Sequence, residues 1–257
     1  MLRWFRLFSI AFLLMGISRA QAKVFNFANV KLAAYLGGGF GPAQENTLLS
    51  KANSDSANTV TLNSEHSYRY SGEFGVIAGG SKVNLGFGLE VLRPRELTDS
   101  SGKNSSDTEL YTVTSEISVL IPKVTLEVTL KSWPKSRLFL NGQAGWATLT
   151  ARNSFTFTAD GQTAYSGLED FYEDLRGMAP MYGGAMGFEK VFSDSTTYVF
   201  HAGYRSLVFD EVQHNRDVTT FQGAVTKGDK ALNTDGQNRS IDLSSYFIGF
   251  MFRFWIK

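Results

Sequence analysis

The chain has 257 residues, with 25 basic and 24 acidic side chains, 25 glycines, 21 phenylalanines and no cysteine. Its charged fraction of 19% lies below the roughly 25% of soluble domains, and the near-neutral balance excludes the basic footprint of a nucleic-acid binder. The lack of cysteine excludes a disulfide scaffold, a thiolate zinc site, a cysteine nucleophile and acylation at an N-terminal Cys.

Residues 1–22 read as an address. Arg3 and Arg6 make a basic start, Leu7 to Ile17 is an apolar run, and Ala20-Gln21-Ala22 is a small-residue cleavage site; together these form a secretory signal. The run is too short for a membrane anchor, which needs about 20 apolar residues. Cleavage takes Arg3, Arg6 and Arg19 from the 25 basic residues, leaving 22 against 24 acidic, a net of −2 for residues 23–257. An exported, cysteine-free chain fits a bacterial envelope.

Period-2 patterning dominates from there on, which predicts strands. Val30, Leu32, Ala34, Leu36 and Phe40 share one face of the first. Tyr68, Tyr70, Phe74, Val76 and Ala78 mark the second, and Val83, Leu85, Phe87, Leu89 and Val91 the third. The fourth carries Tyr111, Val113, Ile117, Val119 and Ile121. Leu138, Leu140, Ala144 and Trp146 follow, then Tyr182, Met186, Phe188 and Phe192, then Tyr198, Phe200, Ala202, Tyr204 and Val208. The last strand alternates most cleanly, through Tyr246, Ile248, Phe250, Phe252, Phe254 and Ile256.

After Pro122 the apolar residues change parity, to Val124, Leu126, Val128 and Leu130. Ile121-Pro122-Lys123 reads either as a turn, giving nine strands, or as a bulge in one long strand, which flips the facing. An even count suits a closed bacterial barrel, so the bulge and eight strands are expected. Short connections at Ser81-Lys82, 132–136 and 193–195 alternate with long polar ones at about 41–65, 94–107, 153–179 and 210–240. That asymmetry matches short periplasmic turns and long extracellular loops. The aromatic residues near strand ends, Tyr68, Tyr70, Trp146, Tyr182, Phe192, Tyr198, Tyr246 and Phe254, sit where membrane girdles belong. The expected fold is therefore an all-β, transmembrane, antiparallel up-and-down barrel of eight strands.

The signal, the eight alternating strands, the Gly-rich Leu36-Gly37-Gly38-Gly39-Phe40 and the aromatic closing strand resemble the small eight-stranded outer-membrane proteins, the OmpA, OmpX and OmpW-like barrels. The resemblance covers residues 23–257 and names a class. The closing strand looks like the signal read by barrel-assembly machinery, although it ends in Ile256-Lys257 instead of a terminal Phe. Unlike the OmpA family proper, no peptidoglycan-binding domain is expected after Lys257. The resemblance implies an outer-membrane location, contact with outer-membrane lipid and lipopolysaccharide, and a monomer; no nucleic-acid partner is implied.

The face opposite the apolar one is expected to line the lumen with five acids, Glu73, Glu90, Glu116, Glu127 and Glu189, and five bases, Arg69, Lys123, Lys131, Arg205 and Arg253, with His201 among them. Such charges must pair, because an unpaired buried charge costs several kcal/mol. They predict a plug, with Glu189 held between Arg205 and Arg253. His66, His201 and His214 lack metal-ligand spacing, and Asn233-Thr234-Asp235-Gly236 reads as a turn, so neither metal nor cofactor is expected. Ser166-Gly167-Leu168-Glu169, followed by Phe171, Tyr172 and Leu175 with Gly177 as the stop, predicts a short capped helix in the third long loop.

The expected role is structural or surface-interacting and non-enzymatic. The alternatives are an OmpW-like passive route for small hydrophobic solutes and, further off, a lipid-modifying enzyme. Cleavage after Ala22 makes a direct prediction: N-terminal sequencing of the protein from membranes should begin at Lys23, and a retained Met1 would contradict export.

Overall fold

The computed structural model describes residues 27, 31–42, 61–62, 68–233 and 236–256. The expected leader, Val30 and His66 lie outside them. Eight strands form the ring: β1 (Leu32–Pro42), β2 (Tyr68–Gly79), β3 (Val83–Pro94), β4 (Glu109–Trp133), β5 (Ser136–Phe157), β6 (Phe171–Val191), β7 (Thr196–Phe209) and β8 (Ser245–Ile256). Each pairs antiparallel with its sequence neighbours, and β8 returns to β1 with Leu32 opposite Ile256 and Phe40 opposite Ile248. Closure leaves no strand edge around the ring, which is the condition for placing strands in hydrocarbon.

Alternation sets the two faces. On β8 the even residues Tyr246, Ile248 and Ile256 are exposed outward while Met251, Arg253 and Trp255 are buried inward. The same parity rule places Leu36 and Phe40, Phe74 and Val76, Leu85 and Phe87, Leu140 and Trp146, Tyr182 and Met186, and Phe200 outside. Aromatic residues rim this belt, with Tyr70, Trp146, Tyr182 and Tyr246 toward the long-loop end and Phe192, Tyr198 and Phe254 toward the short-turn end. The chain is thus a transmembrane barrel of eight strands, as its alternation predicts.

The strand count is as expected, but Pro122 is neither turn nor bulge. Leu89 faces Pro122 in the same register that sets Val91 opposite Leu120 and Gly88 opposite Lys123. Across the other edge, Leu120 pairs with Thr148 and Lys123 with Gly145, again without a shift. Odd residues of β4 therefore face inward from Tyr111 to Thr129, and Tyr111, Val113, Ile117, Val119 and Ile121 are buried inside the sheet, away from lipid. What changes at this level is the solvent. From Leu120 down the large outward residues are Leu120, Val124, Leu126, Val128 and Leu130, and above Leu120 the outward residues are Thr112, Thr114, Glu116 and Ser118. The parity switch in the sequence marks the edge of the apolar belt. The register shift in β4 lies between Thr129 and Lys131, near the turn, and leaves Lys131 exposed beside Trp133.

Length makes the same point. β4, β5 and β6 have 25, 22 and 21 residues, about twice the 9–11 that cross a bilayer, whereas the other strands have 11 to 14. The three long strands rise past the belt as a wall, joined at one edge by the strand Leu97–Lys103. Much of the expected 94–107 and 153–179 loops is therefore sheet. The helix expected after Ser166 is absent. A six-residue helix, α1 (Ala159–Ala164), precedes it with Thr158 as its cap, and the chain is a strand again from Phe171. Leu168 and Phe171 pack on the aromatic cluster of Tyr111, Phe155 and Phe157, Leu175 is buried inside, and Tyr172 faces out. Phe171 and Leu175 share an inward face at period 2, a spacing that also fits one helical turn.

The solvent switch is testable on one strand. Leu126→Arg, facing lipid, should cost about 2–4 kcal/mol of stability. Thr114→Arg, on the same face above the belt, should stay within about 0.5 kcal/mol. Urea unfolding in vesicles measures both, and equal effects would contradict the placement.

Candidate functional site

Four acids and four bases fill the lower lumen as two clusters. Nearer the short turns, Glu189 accepts from Arg137 at 2.7 Å and from Arg253 at 3.0 Å, and Arg253 also grips Glu127 with both terminal nitrogens. Thr197 donates its hydroxyl to Glu189 and accepts from the Trp255 indole at 2.9 Å. Arg137 lies over the rings of Phe27, Phe139 and Trp255. Toward the middle of the barrel, Lys123 bridges Glu73 at 2.8 Å and Glu90 at 2.9 Å, and Arg205 meets Glu90 at 2.5 Å. Tyr35 donates to Glu73 at 2.8 Å, and Lys123 donates to Gln143 at 3.0 Å. Tyr35 reaches Glu73 across Gly88, where an added Cβ would fall 2.1 Å from the phenol oxygen.

Most of the expected lumen set is here: Glu73, Glu90, Lys123, Glu127, Glu189, Arg205 and Arg253 all enter the two clusters. Five details differ. Glu116 is exposed on the outer face, because β4 keeps its parity and even residues point outward. Lys131 is outside, as described. Glu189 is shared by Arg137 and Arg253, while Arg205 serves Glu90 one cluster higher. Arg69 faces inward but meets carbonyls, donating to Ser244 at 2.6 Å and to Asp242 at 3.1 Å. His201 faces inward without an ion pair among the described residues; its ring stands edge-on to Phe247, over Gly249, where a Cβ would meet Nε2 at 2.0 Å. Arg137 went unrecognised because it borders a turn. Its parity with Asn141 and Gln143 was the available signal.

Above the ions the lumen becomes apolar. Leu92, Ile117, Val119, Ile121, Leu149 and Met181 point inward, and the β7–β8 connection folds down to fill the space between them with Val212, Ala231, Ile241 and Leu243. This lid is pinned by the backbone bond from Leu243 to Leu207 at 2.8 Å and by the bond from the Leu207 amide to the Ser244 hydroxyl at 3.0 Å. Arg239 donates to Glu173 at 2.9 Å in a buried ion pair that sequence patterning did not reveal, since its halves lie 66 residues apart. Beside it, burial holds the His214 imidazole below its ordinary pKa against the pull of Glu173 and Asp229, with Arg239 adding to the depression. Gly236 donates to the Asn233 carbonyl at 2.9 Å, as a turn should, while Thr234 and Asp235 lie outside the described residues.

Side chains leave little space in the lumen. Two cavities among the charges measure about 20 and 10 Å³, each room for about one water. An eight-stranded ring is just wide enough to be filled by its own side chains, and here ions fill one level and apolar groups the next.

No protein-family profile matches the sequence, and no curated protein matches it. Among solved structures, it is similar to the Neisserial surface protein A, at 6% identity and a TM-score of 0.46, over 88% of this chain and 97% of that one. It is similar to Ail, the attachment invasion locus protein of Yersinia pestis, at 10% identity and a TM-score of 0.43, over 88% and 99%. It is also similar to the outer membrane protein OprG from Pseudomonas aeruginosa, at 14% identity and a TM-score of 0.42, over 90% and 99%. None of these TM-scores reaches 0.5, and the functional reading rests on the chain's own residues.

The buried ion pairs have a stability consequence. Glu189→Ala leaves two buried guanidiniums short of a partner and should destabilise the barrel by about 3–5 kcal/mol. Arg152→Ala, breaking an exposed pair with Asp174, should cost under about 1 kcal/mol. Equilibrium urea unfolding reads both, and a neutral Glu189→Ala would show that the cluster does not hold the barrel together.

Proposed function

We propose that this protein is an integral barrel of the bacterial outer membrane, non-enzymatic and closed to solutes, whose role is structural and surface-interacting. One observation carries the reading: two successive levels of the lumen are filled, the first by eight paired charges and the second by the folded-in lid. What stands free for contact is the wall of β4–β6 and the long connections. The exported leader, the apolar belt and the aromatic rims support the outer-membrane placement, with the short turns periplasmic. The outward row Tyr246, Ile248, Phe250, Phe252, Phe254 and Ile256 suits β8 for recognition by the assembly machinery. The protein works as a monomer in outer-membrane lipid and lipopolysaccharide.

A passive route for hydrophobic solutes would use an apolar lumen. The upper lumen is apolar, but Val119, Leu149, Met181 and Leu243 fill it and are fully buried. A lipid-modifying enzyme would need a histidine on the lipid face; among the described residues, His201 points into the lumen and His214 is buried in the lid. Recordings from the purified protein in planar bilayers test the proposal. Negligible steady conductance is expected, and a large, steady conductance from the native protein would overturn the plug.

A further inference from the structure

The exposed charges at the short-turn end are nearly all of one sign. Among the described residues they are Lys31, Lys82, Lys131, Lys135 and Lys190 against Asp194 alone, and none of these lysines is in an ion pair among those residues. Backbone bonds make the lysine-bearing segments neighbours. Gly79 donates to the Lys31 carbonyl at 2.9 Å, Thr129 to that of Lys82 at 2.8 Å, and Val191 to that of Lys135 at 2.9 Å. The lysines therefore follow one arc, from β1 past the β2–β3 and β4–β5 turns to β6, and Asp194 lies beyond its end on the β6–β7 turn.

Within the arc lies an apolar notch of about 440 Å³, lined by Trp133, Pro134, Lys135, Ser136 and Phe188. Register gives its depth. Trp133, Ser136, Lys190 and Tyr198 are successive cross-strand partners, as are Lys131, Leu138 and Phe188 one row nearer the belt. Tyr198 belongs to the aromatic rim, and Leu140 and Met186, a further row up, are exposed to hydrocarbon. The notch therefore sits where the belt gives way to headgroups, on the side of the short turns. Lys131 and Lys190 flank it from β4 and β6, two strand spacings or about 10 Å apart, and Lys135 stands on the turn. The Lys131 ammonium lies 5.2 Å from the centre of the Trp133 ring, which keeps its charge at this level.

We propose that this notch and its three lysines select an anionic glycerophospholipid of the periplasmic leaflet by its headgroup. Clusters of lysine at a membrane surface attract anionic lipid, and an ammonium meets phosphate as a point charge, without the fixed geometry of a guanidinium fork. A phosphodiester held among Lys131, Lys135 and Lys190 leaves its acyl chains to rise over Phe188 and Leu140 into the belt. An ethanolamine headgroup brings its own ammonium, which the lysines repel; a glycerol headgroup brings none, and Ser136 can meet its hydroxyls. The apolar lining by Trp133 and Phe188 favours a lipid over an acidic polypeptide, which would leave those rings uncovered. Any barrel touches lipid all around its belt; what is specific here is choice by charge in one sector of one leaflet. The proposal rests on the outer-membrane placement above, which the gel shift between unheated and boiled protein tests separately.

The experiment uses the mature protein in a non-ionic detergent and measures binding of phosphatidylglycerol, phosphatidylethanolamine and soluble polyglutamate by native mass spectrometry. Phosphatidylglycerol should bind best. The triple variant Lys131→Gln, Lys135→Gln, Lys190→Gln should weaken it about tenfold or more, since each lysine beside an anionic headgroup adds to the attraction. Trp133→Ala, which changes no charge, should weaken it too, because the notch loses a wall. Lys227→Gln, exposed on the β7–β8 connection at the far end, should leave it unchanged. The three lysines are exposed, so the triple variant should fold, and its own gel shift on heating checks this. No binding of phosphatidylglycerol by the native protein, equal binding of phosphatidylethanolamine, binding of polyglutamate in place of the lipid, or undiminished binding by the triple variant would each overturn the proposal.

Discussion

Inside hydrocarbon every backbone N–H and C=O must find a partner within the protein, since none is offered by the solvent. For strands this forces closure, and closure fixes nearly everything else here. Eight strands in a ring leave one outward and one inward side chain in each pair of residues, with an interior just wide enough to be filled. The chain then has two parities to assign and two solvents to meet. In the belt it gives lipid the large apolar residues and folds charge inward. Above the belt it gives water Thr, Ser, Glu and Arg and folds Val, Ile, Leu and Phe inward. The backbone runs through both regimes without changing register at Pro122.

The lumen follows from the same constraint. Charges turned away from lipid sit in a dry, narrow space, where each must be compensated locally. Sharing answers that need: Glu189 and Glu127 each contact two guanidiniums, and Lys123 and Arg253 each contact two carboxylates. Higher up, where water surrounds the wall, the inward face becomes an ordinary apolar core, and the lid completes it. The lid therefore packs by hydrophobic burial in a part of the barrel that has no ions left to pair.

Much of this was legible in the sequence, because period-2 alternation survives any solvent. Strand number, barrel closure, the facing of seven strands within the belt and seven of the ten acids and bases expected to line the lumen could be read directly. Glu116 misled because alternation reports that two faces differ without saying which one faces inward; lipid was assumed to persist along all of β4. Leu168, Phe171 and Leu175 misled because their spacing fits a helix turn as well as a strand face. Arg137, Glu173 and Arg239 were missed for different reasons, the first by lying at a turn and the other two because their pairing spans most of the β6–β8 chain. Such contacts are set by closure and loop return, which local patterns do not encode.

The absence of native cysteine makes the central claim, one register through two solvents, directly measurable. Single cysteines placed at successive positions from 112 to 130 on β4, each carrying a spin label in a bilayer, report exposure to oxygen from lipid and to a nickel chelate from water. Even positions from 120 to 130 should be lipid-exposed, even positions from 112 to 118 water-exposed, and odd positions shielded from both along the whole strand. Lipid exposure of odd positions between 111 and 121 would contradict the account, since it would put the bulge back at Pro122.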